Sequence, residues 1–304
     1  MHATLASAGS RAAQSATSPL APPKTLQPFA TPAFSGEGLW HPAGRTIGRF
    51  HAVFETTLQA PGSGGSVAGI AWMDTRLLRA TLYSGSVSPG GGPWRYTAPV
   101  APTAARTLVA AFNGGFKMPD SEGGYYSEGK LVDPLRAGAA SLVIYKSGTA
   151  TVGMWGRDVS MTPSVVAVRQ NLNLLVDHGQ PVAGLSPYDT SVWGSTLGGT
   201  PNVWRSGLGV TANGALVYVS GPSLDVVQLA DLLVRAGAVR AMELDINPYW
   251  TVFATYAPDP PSAPASPANG ADLLSTMAGG PDRFFAAWWY RDFVTMSARV
   301  PGNG

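Results

Sequence analysis

The segment Arg205–Trp250 constrains the fold more than any other, because it spells a hairpin, a helix and a strand in unbroken succession. Leu208–Thr211 and Ala215–Ser220 are apolar runs rich in β-branched residues, and Asn213-Gly214 between them predicts a two-residue hairpin turn. Ser223 is placed to cap a helix, with Asp225 in its first turn. Leu224, Val227, Leu229, Leu232 and Leu233 then recur at roughly helical spacing, and Gly237 marks the stop. The next run alternates. Met242, Leu244 and Ile246 point to one face and Glu243, Asp245 and Asn247 to the other, until Pro248 ends the strand. Three polar side chains share one face of a segment otherwise apolar enough to be buried, which makes this strand the place to look for chemistry.

Around this segment the chain reads as β-rich. Phe34–Phe50 is an irregular lead-in, followed by candidate strands at Val53–Leu58, Val67–Met73 and Leu77–Tyr83. Further on, Gly138–Tyr145 and Thr149–Trp155 flank Ser147-Gly148, and Asn171–Val176 and Pro181–Ala183 flank Asp177-His178-Gly179. Such a meander with few, grouped helices predicts an α+β fold: a single domain with a largely antiparallel mixed sheet and a few packed helices. The domain is expected over residues 36–304, after a disordered tail or tether over residues 1–35 rich in Ala, Ser, Thr and Pro. Residues 258–270 read as a Pro-rich surface excursion, Ala271–Met277 as a short helix, and the aromatic run within Phe284–Met296 as a final strand closing the core. The long glycine-rich loop from Gly184 to Pro201 is of the kind that carries function or moves.

Composition excludes several functions. With a net charge of +2 and scattered basic residues, nothing marks a nucleic-acid partner. Cysteine is absent, so disulfides and thiolate metal sites are excluded. No apolar run is long enough to span a bilayer, and the first 32 residues carry no hydrophobic signal core. Only 12% of residues are charged, and Gly, Pro, Ala, Ser and Thr abound, a style that fits a secreted or cell-envelope protein of bacterial type. The expected location is therefore extracellular or cell-envelope, with any signal or anchor outside this chain. Gly90-Gly91-Gly92-Pro93 lacks the lysine signature of a phosphate-binding loop.

At Ala110–Phe116 an apolar run meets Asn113, Gly114 and Gly115. Read on its own, this is a strand end where the backbone turns tightly or approaches a ligand closely; an ordinary turn is the commoner case. Taken with Arg205, the Gly207-x-Gly209-x-Thr211-x-x-Gly214 hairpin, the Leu-Ala-x-Leu-Leu helix ending in Ala-Gly-Ala, and Leu244-Asp245 on a strand, it resembles the phosphodiester glycosidase family of the uncovering-enzyme type. The likeness runs from about Val67 to Ala254. One difference stands out: the family continues from its aspartate into a Gly-Gly-Gly-Ser turn, where this chain reads Ile246-Asn247-Pro248.

The resemblance implies hydrolysis of the glycosidic bond of a sugar-1-phosphodiester, in a cell-envelope or exopolysaccharide glycoconjugate. A carboxylate must then support an oxocarbenium-like centre, while a phosphate monoester leaves without strong acid assistance. Asp245 is the expected nucleophile, base or electrostatic stabiliser, and Glu243 the second carboxylate, about 6.6 Å along the strand. Arg205 has a planar fork suited to two phosphate oxygens. Asn113 and Asn247 can hydrogen-bond sugar hydroxyls, and the resemblance places Gly114 and Gly115 beside the substrate. No cofactor is expected, and no ligand spacing around Asp245 and Glu243 demands a divalent ion. The alternative is a catalytically inactive glycan-binding module of the cell envelope on the same scaffold, for which the missing glycine turn argues.

Overall fold

The structure, a computed structural model, describes residues 18–299 apart from Ser63. Strands far outweigh helices among the described residues, and every ladder between named strands is antiparallel. The α+β expectation therefore holds in coarse form, on a strongly strand-dominated chain. The described residues form three sheets. The eight-stranded one runs, in spatial order, His41–Ile47, Phe50–Gln59, Val67–Met73, Leu216–Leu224, Val203–Thr211, Ala238–Asp245, Leu174–Asp177 and Gln180–Pro181. A five-stranded sheet orders Lys130–Asp133, Tyr125–Ser127, Val165–Gln170, Ala140–Tyr145 and Ala150–Met154, and the other orders Gly270–Asp272, Phe253–Tyr256, Leu108–Asn113, Phe293–Ala298 and Leu78–Tyr83.

One core draws on all three sheets. Met73, Leu208 and Met242 from the first meet Leu142 and Val152 from the second and Phe112, Val294 and Met296 from the third. The other face of the eight-stranded sheet is covered by the Val226–Arg235 helix, whose Leu229, Leu232 and Leu233 pack on Val217, Val219 and Ala241. Burying three leucines contributes about 1.5–3 kcal/mol each, which a ten-residue helix needs because it is marginal alone. A third cluster, with Phe284, Trp289, Phe293 and Tyr256, lies outside the last sheet.

Several local expectations are corrected. The helix is capped by Asp225 rather than Ser223: the Asp225 carboxylate accepts the Gln228 N–H and the Gln228 side chain accepts the Asp225 N–H. Ser223 instead sits exposed at φ 52° in the end of the preceding strand. The hairpin turn has three residues, not two. Gly214 at φ 87° follows a turn closed by its own N–H to the Thr211 carbonyl, and Thr211 then pairs with Ala215, the bulged form of the hairpin. The key strand stops at Asp245, leaving Ile246 and Asn247 in the loop. The lead-in contains the His41–Ile47 strand, Ala271–Met277 is no helix, and Trp288–Tyr290 lie in a loop before the Phe293–Ala298 strand.

Of the expected tail over residues 1–35, residues 1–17 lie outside the described residues. The remainder does not stand free. Leu20 and Leu26 are buried, the Leu20 N–H donates to Asp74, and Arg235 at the helix end donates to the Gln27 carbonyl while its guanidinium stacks on Phe29. Enough apolar surface is spread through this polar stretch to hold it against the sheet. The 258–270 segment is largely exposed, anchored by buried Ala265. No helix among the described residues is long and apolar enough to cross a membrane.

Candidate active site

Asp245 ends its strand at the wall of a cleft of about 410 Å³. Phe116, Lys117, Asp120 and Glu122 border the cleft from one segment, Thr190, Ser191 and Ser195 from another, with Asn247 and Arg291 completing it around the carboxylate. One Asp245 carboxylate oxygen accepts a hydrogen bond from Arg291 and the other accepts the Asn247 N–H at 2.9 Å. Burial pushes the Asp245 carboxyl up to about 6, against the pull of Arg291. It therefore changes charge close to neutral pH, as a group in proton or charge chemistry should. Of the Arg291 donors, Nε is buried and has no hydrogen-bond partner among the described residues.

The other expected residues stand in supporting positions. Glu243 is fully buried and bonds Arg205 at 2.5 Å, and neither side chain lines the cleft. Burial raises the Glu243 carboxyl to about 7, with Arg205 opposing. Arg205, expected to grip phosphate, is 2% exposed and already makes four hydrogen bonds, to Glu243 and to the carbonyls of Leu224, Trp193 and Pro201. Two of those carbonyls belong to the 184–201 loop, so Arg205 fixes the loop that brings Thr190, Ser191 and Ser195 to the cleft. The two carboxylates thus have separate partners: Glu243 takes Arg205, and Asp245 takes Arg291.

Asn113 is also interior. Its amide donates to Ser206 Oγ at 3.1 Å and accepts from the Tyr218 hydroxyl at 2.8 Å, while Ser206 Oγ accepts the Asp245 N–H. Through Ser206 it is linked to the Asp245 backbone by buried hydrogen bonds. Gly114 and Gly115 serve a close approach of a different kind. A Cβ at Gly114 would collide with the Asp292 carboxylate, and one at Gly115 would lie 3.0 Å from Arg169 Nη2. Arg169 and Asp292 form a fully buried ion pair at 2.9 Å, and Arg169 also donates to the Phe116 carbonyl. The glycines let the backbone settle on that pair, which neighbours the Asp245–Arg291 pair through the adjacent residues 291 and 292. Asn171 ties the same region together, accepting the Phe116 N–H and donating to the carbonyls of Glu243 and Leu244.

Sequence reasoning missed Arg291, Lys117 and the Arg169–Asp292 pair. The available signal was Arg291-Asp292 itself, two adjacent charges inside the most aromatic run of the chain, where burial demands partners. Among the described residues, no group of three or more His, Asp or Glu is arranged to hold a metal ion.

Comparison with known proteins bears on this site. The phosphodiester glycosidase family model matches residues 106–245. The catalytic domain of zebrafish N-acetylglucosamine-1-phosphodiester alpha-N-acetylglucosaminidase, in a form auto-inhibited by its pro-peptide, is 17% identical; the match covers 84% of this chain and 87% of that one at a TM-score of 0.49. A hypothetical protein from Synechocystis is 14% identical, with 85% and 64% covered and a TM-score of 0.46. A protein of Burkholderia pseudomallei is 13% identical, with 78% and 75% covered and a TM-score of 0.38. No curated protein matches the chain. With all three TM-scores under 0.5, the assignment rests on the matched stretch alone. From the strand that ends in Asn113 to Asp245 itself, a stretch just under half of the chain, the sequence matches the model of the phosphodiester glycosidase family.

Proposed function

We propose that the protein is a hydrolase that cleaves the glycosidic bond of a sugar-1-phosphodiester, and that its substrate is a cell-envelope or exopolysaccharide glycoconjugate met outside the cell. The observation that carries this reading is the pairing of the Asp245 carboxylate with the Arg291 guanidinium at the wall of one cleft, which Lys117 also lines. Arg291, helped by Lys117, takes the phosphodiester, and in doing so loosens its hold on Asp245. The freed carboxylate then faces the anomeric carbon as positive charge develops there. The phosphate monoester leaves without strong protonation. Asp120, also at the cleft, supplies a second carboxylate for the water that completes hydrolysis. Glu243, Arg205, Asn113, Gly114 and Gly115 act as positioning groups, and Asn247 remains a contact for sugar hydroxyls.

The test is release of free sugar from a synthetic sugar-1-phosphodiester. Wild type should turn it over, and Asp245→Asn should lose on the order of 10² or more in kcat. Saturable binding by wild type without any sugar release would favour an inactive glycan-binding module, a reading supported by the near-complete burial of Asp245 behind Arg291.

A further inference from the structure

The aromatic run at Trp288–Tyr290, expected in a core strand, leaves two of its rings in solvent. Trp288 is 55% exposed and Tyr290 45%, and Tyr249, from the loop after Asp245, is 44% exposed. These three are among only nine large hydrophobic side chains exposed among the described residues, and they share one patch. Tyr249 lies edge-on to Trp250 at 5.0 Å, Trp250 contacts Tyr290 at 6.4 Å, and the Arg283 guanidinium sits 4.0 Å from the Tyr249 ring and 5.4 Å from Trp288.

The patch is rigid. Trp250 packs at 5.1 Å on Trp289, which is fully buried, and the backbone of 288–290 is pinned by the Ser86 and Ser88 N–H groups on the Trp289 and Tyr290 carbonyls. Rings held this way are not needed to fill the core, and stacking on them costs little side-chain entropy. It is also continuous with the cleft. Arg291, which bonds Asp245, stacks on Trp250 at 4.5 Å, and Asn247 accepts the Tyr249 N–H at 2.9 Å. Exposed ring faces backed by a planar cation suit the flat C–H face of a pyranose better than the branched aliphatic surface of a protein partner.

We propose that Tyr249, Trp288 and Tyr290, backed by Trp250 and Arg283, form a stacking platform for pyranose rings of the glycan chain beyond the bond that is cleaved. This rests on the reading of the Asp245 cleft as a glycosidase site and gives that site a preference for sugar attached to further sugar. An exposed tryptophan provides the readout.

Chitohexaose, cellohexaose and maltohexaose are titrated into the intact protein while tryptophan fluorescence and binding heat are followed. At least one should bind saturably and perturb the fluorescence, and Trp288→Ala and Tyr249→Ala should each weaken it about fivefold to tenfold. Trp288→Phe, which keeps a ring, should recover most of the affinity, whereas a merely misfolded Trp288→Ala would be exposed by its circular dichroism. Binding by none of the three, or equal binding by wild type and both alanine variants, overturns the platform. Sugar release from a phosphodiester with a small methyl aglycone is measured separately. Its failure would remove the hydrolase while leaving a positive platform result standing.

Discussion

At the scale of single residues, the proposed function depends most on Arg291. Its fork meets Asp245 on one side and the Trp250 ring on another. Arg291→Lys keeps a charge but loses the planar, multi-donor geometry. Binding of a sugar phosphodiester should weaken by about 1–3 kcal/mol, while a neutral glycoside of the same sugar is much less affected. Competitive inhibition by the two compounds measures this, and equal losses would move the phosphate elsewhere in the cleft. Asp245 adds a pH signature. Because its carboxyl is raised to about 6 and must be ionised to stabilise a cationic centre, kcat/KM should fall with decreasing pH through about 6. A profile flat down to pH 4.5 would mean that another group carries the chemistry.

At the scale of elements, the central fact is how one strand pair and one loop are locked together. Val203–Thr211 and Ala238–Asp245 pair directly, and Arg205 on the first reaches Glu243 on the second while holding the carbonyls of Trp193 and Pro201. Arg205→Lys should therefore behave as a structural lesion. Unlike a phosphate-ligand change, it should lower activity on phosphodiesters and neutral glycosides alike and reduce unfolding free energy, by about 3–5 kcal/mol if the pair is broken outright. Urea denaturation reads the stability, and faster proteolysis within residues 184–201 reads the loosened loop. Normal stability with a selective loss on phosphodiesters would return Arg205 to the role its place in the sequence first gave it.

Across the whole molecule, several carboxyls on different elements are held above their ordinary values by burial. Glu55 and Glu243 are raised to about 7, and Asp245 and Asp272 to about 6. Such a group binds its proton more tightly folded than unfolded. Its contribution is fully present below the unfolded value and is lost as pH rises toward the folded one. Stability should accordingly decline from about pH 4.5 to about pH 7. Glu243→Gln should flatten that decline and match wild type at the acid end, as read by melting temperature across pH. A wild-type stability that rises through this window would show that these carboxyls enter the fold ionised.

The sequence alone determined what is local and periodic. The hairpin at Asn213-Gly214, the amphipathic helix with its stop at Gly237, and the alternation through Met242, Glu243, Leu244 and Asp245 were all legible, because turn chemistry and side-chain period act over a few residues. Asp245 could be singled out for the same reason, as a carboxylate on a buried strand. Only the tertiary structure decided which arginine meets which carboxylate. Arg205 and Arg291 are equally able to pair with Asp245 in charge. The choice is made by sheet order, which sets Glu243 against Arg205 and brings Arg291 across 46 residues to the end of the strand. It also decided that Gly114 yields space to the Asp292 carboxylate, and that Trp288 and Tyr290 face solvent beside the cleft. Such contacts join residues far apart in sequence, and neither charge nor hydropathy along the chain records which distant partner the packing will supply.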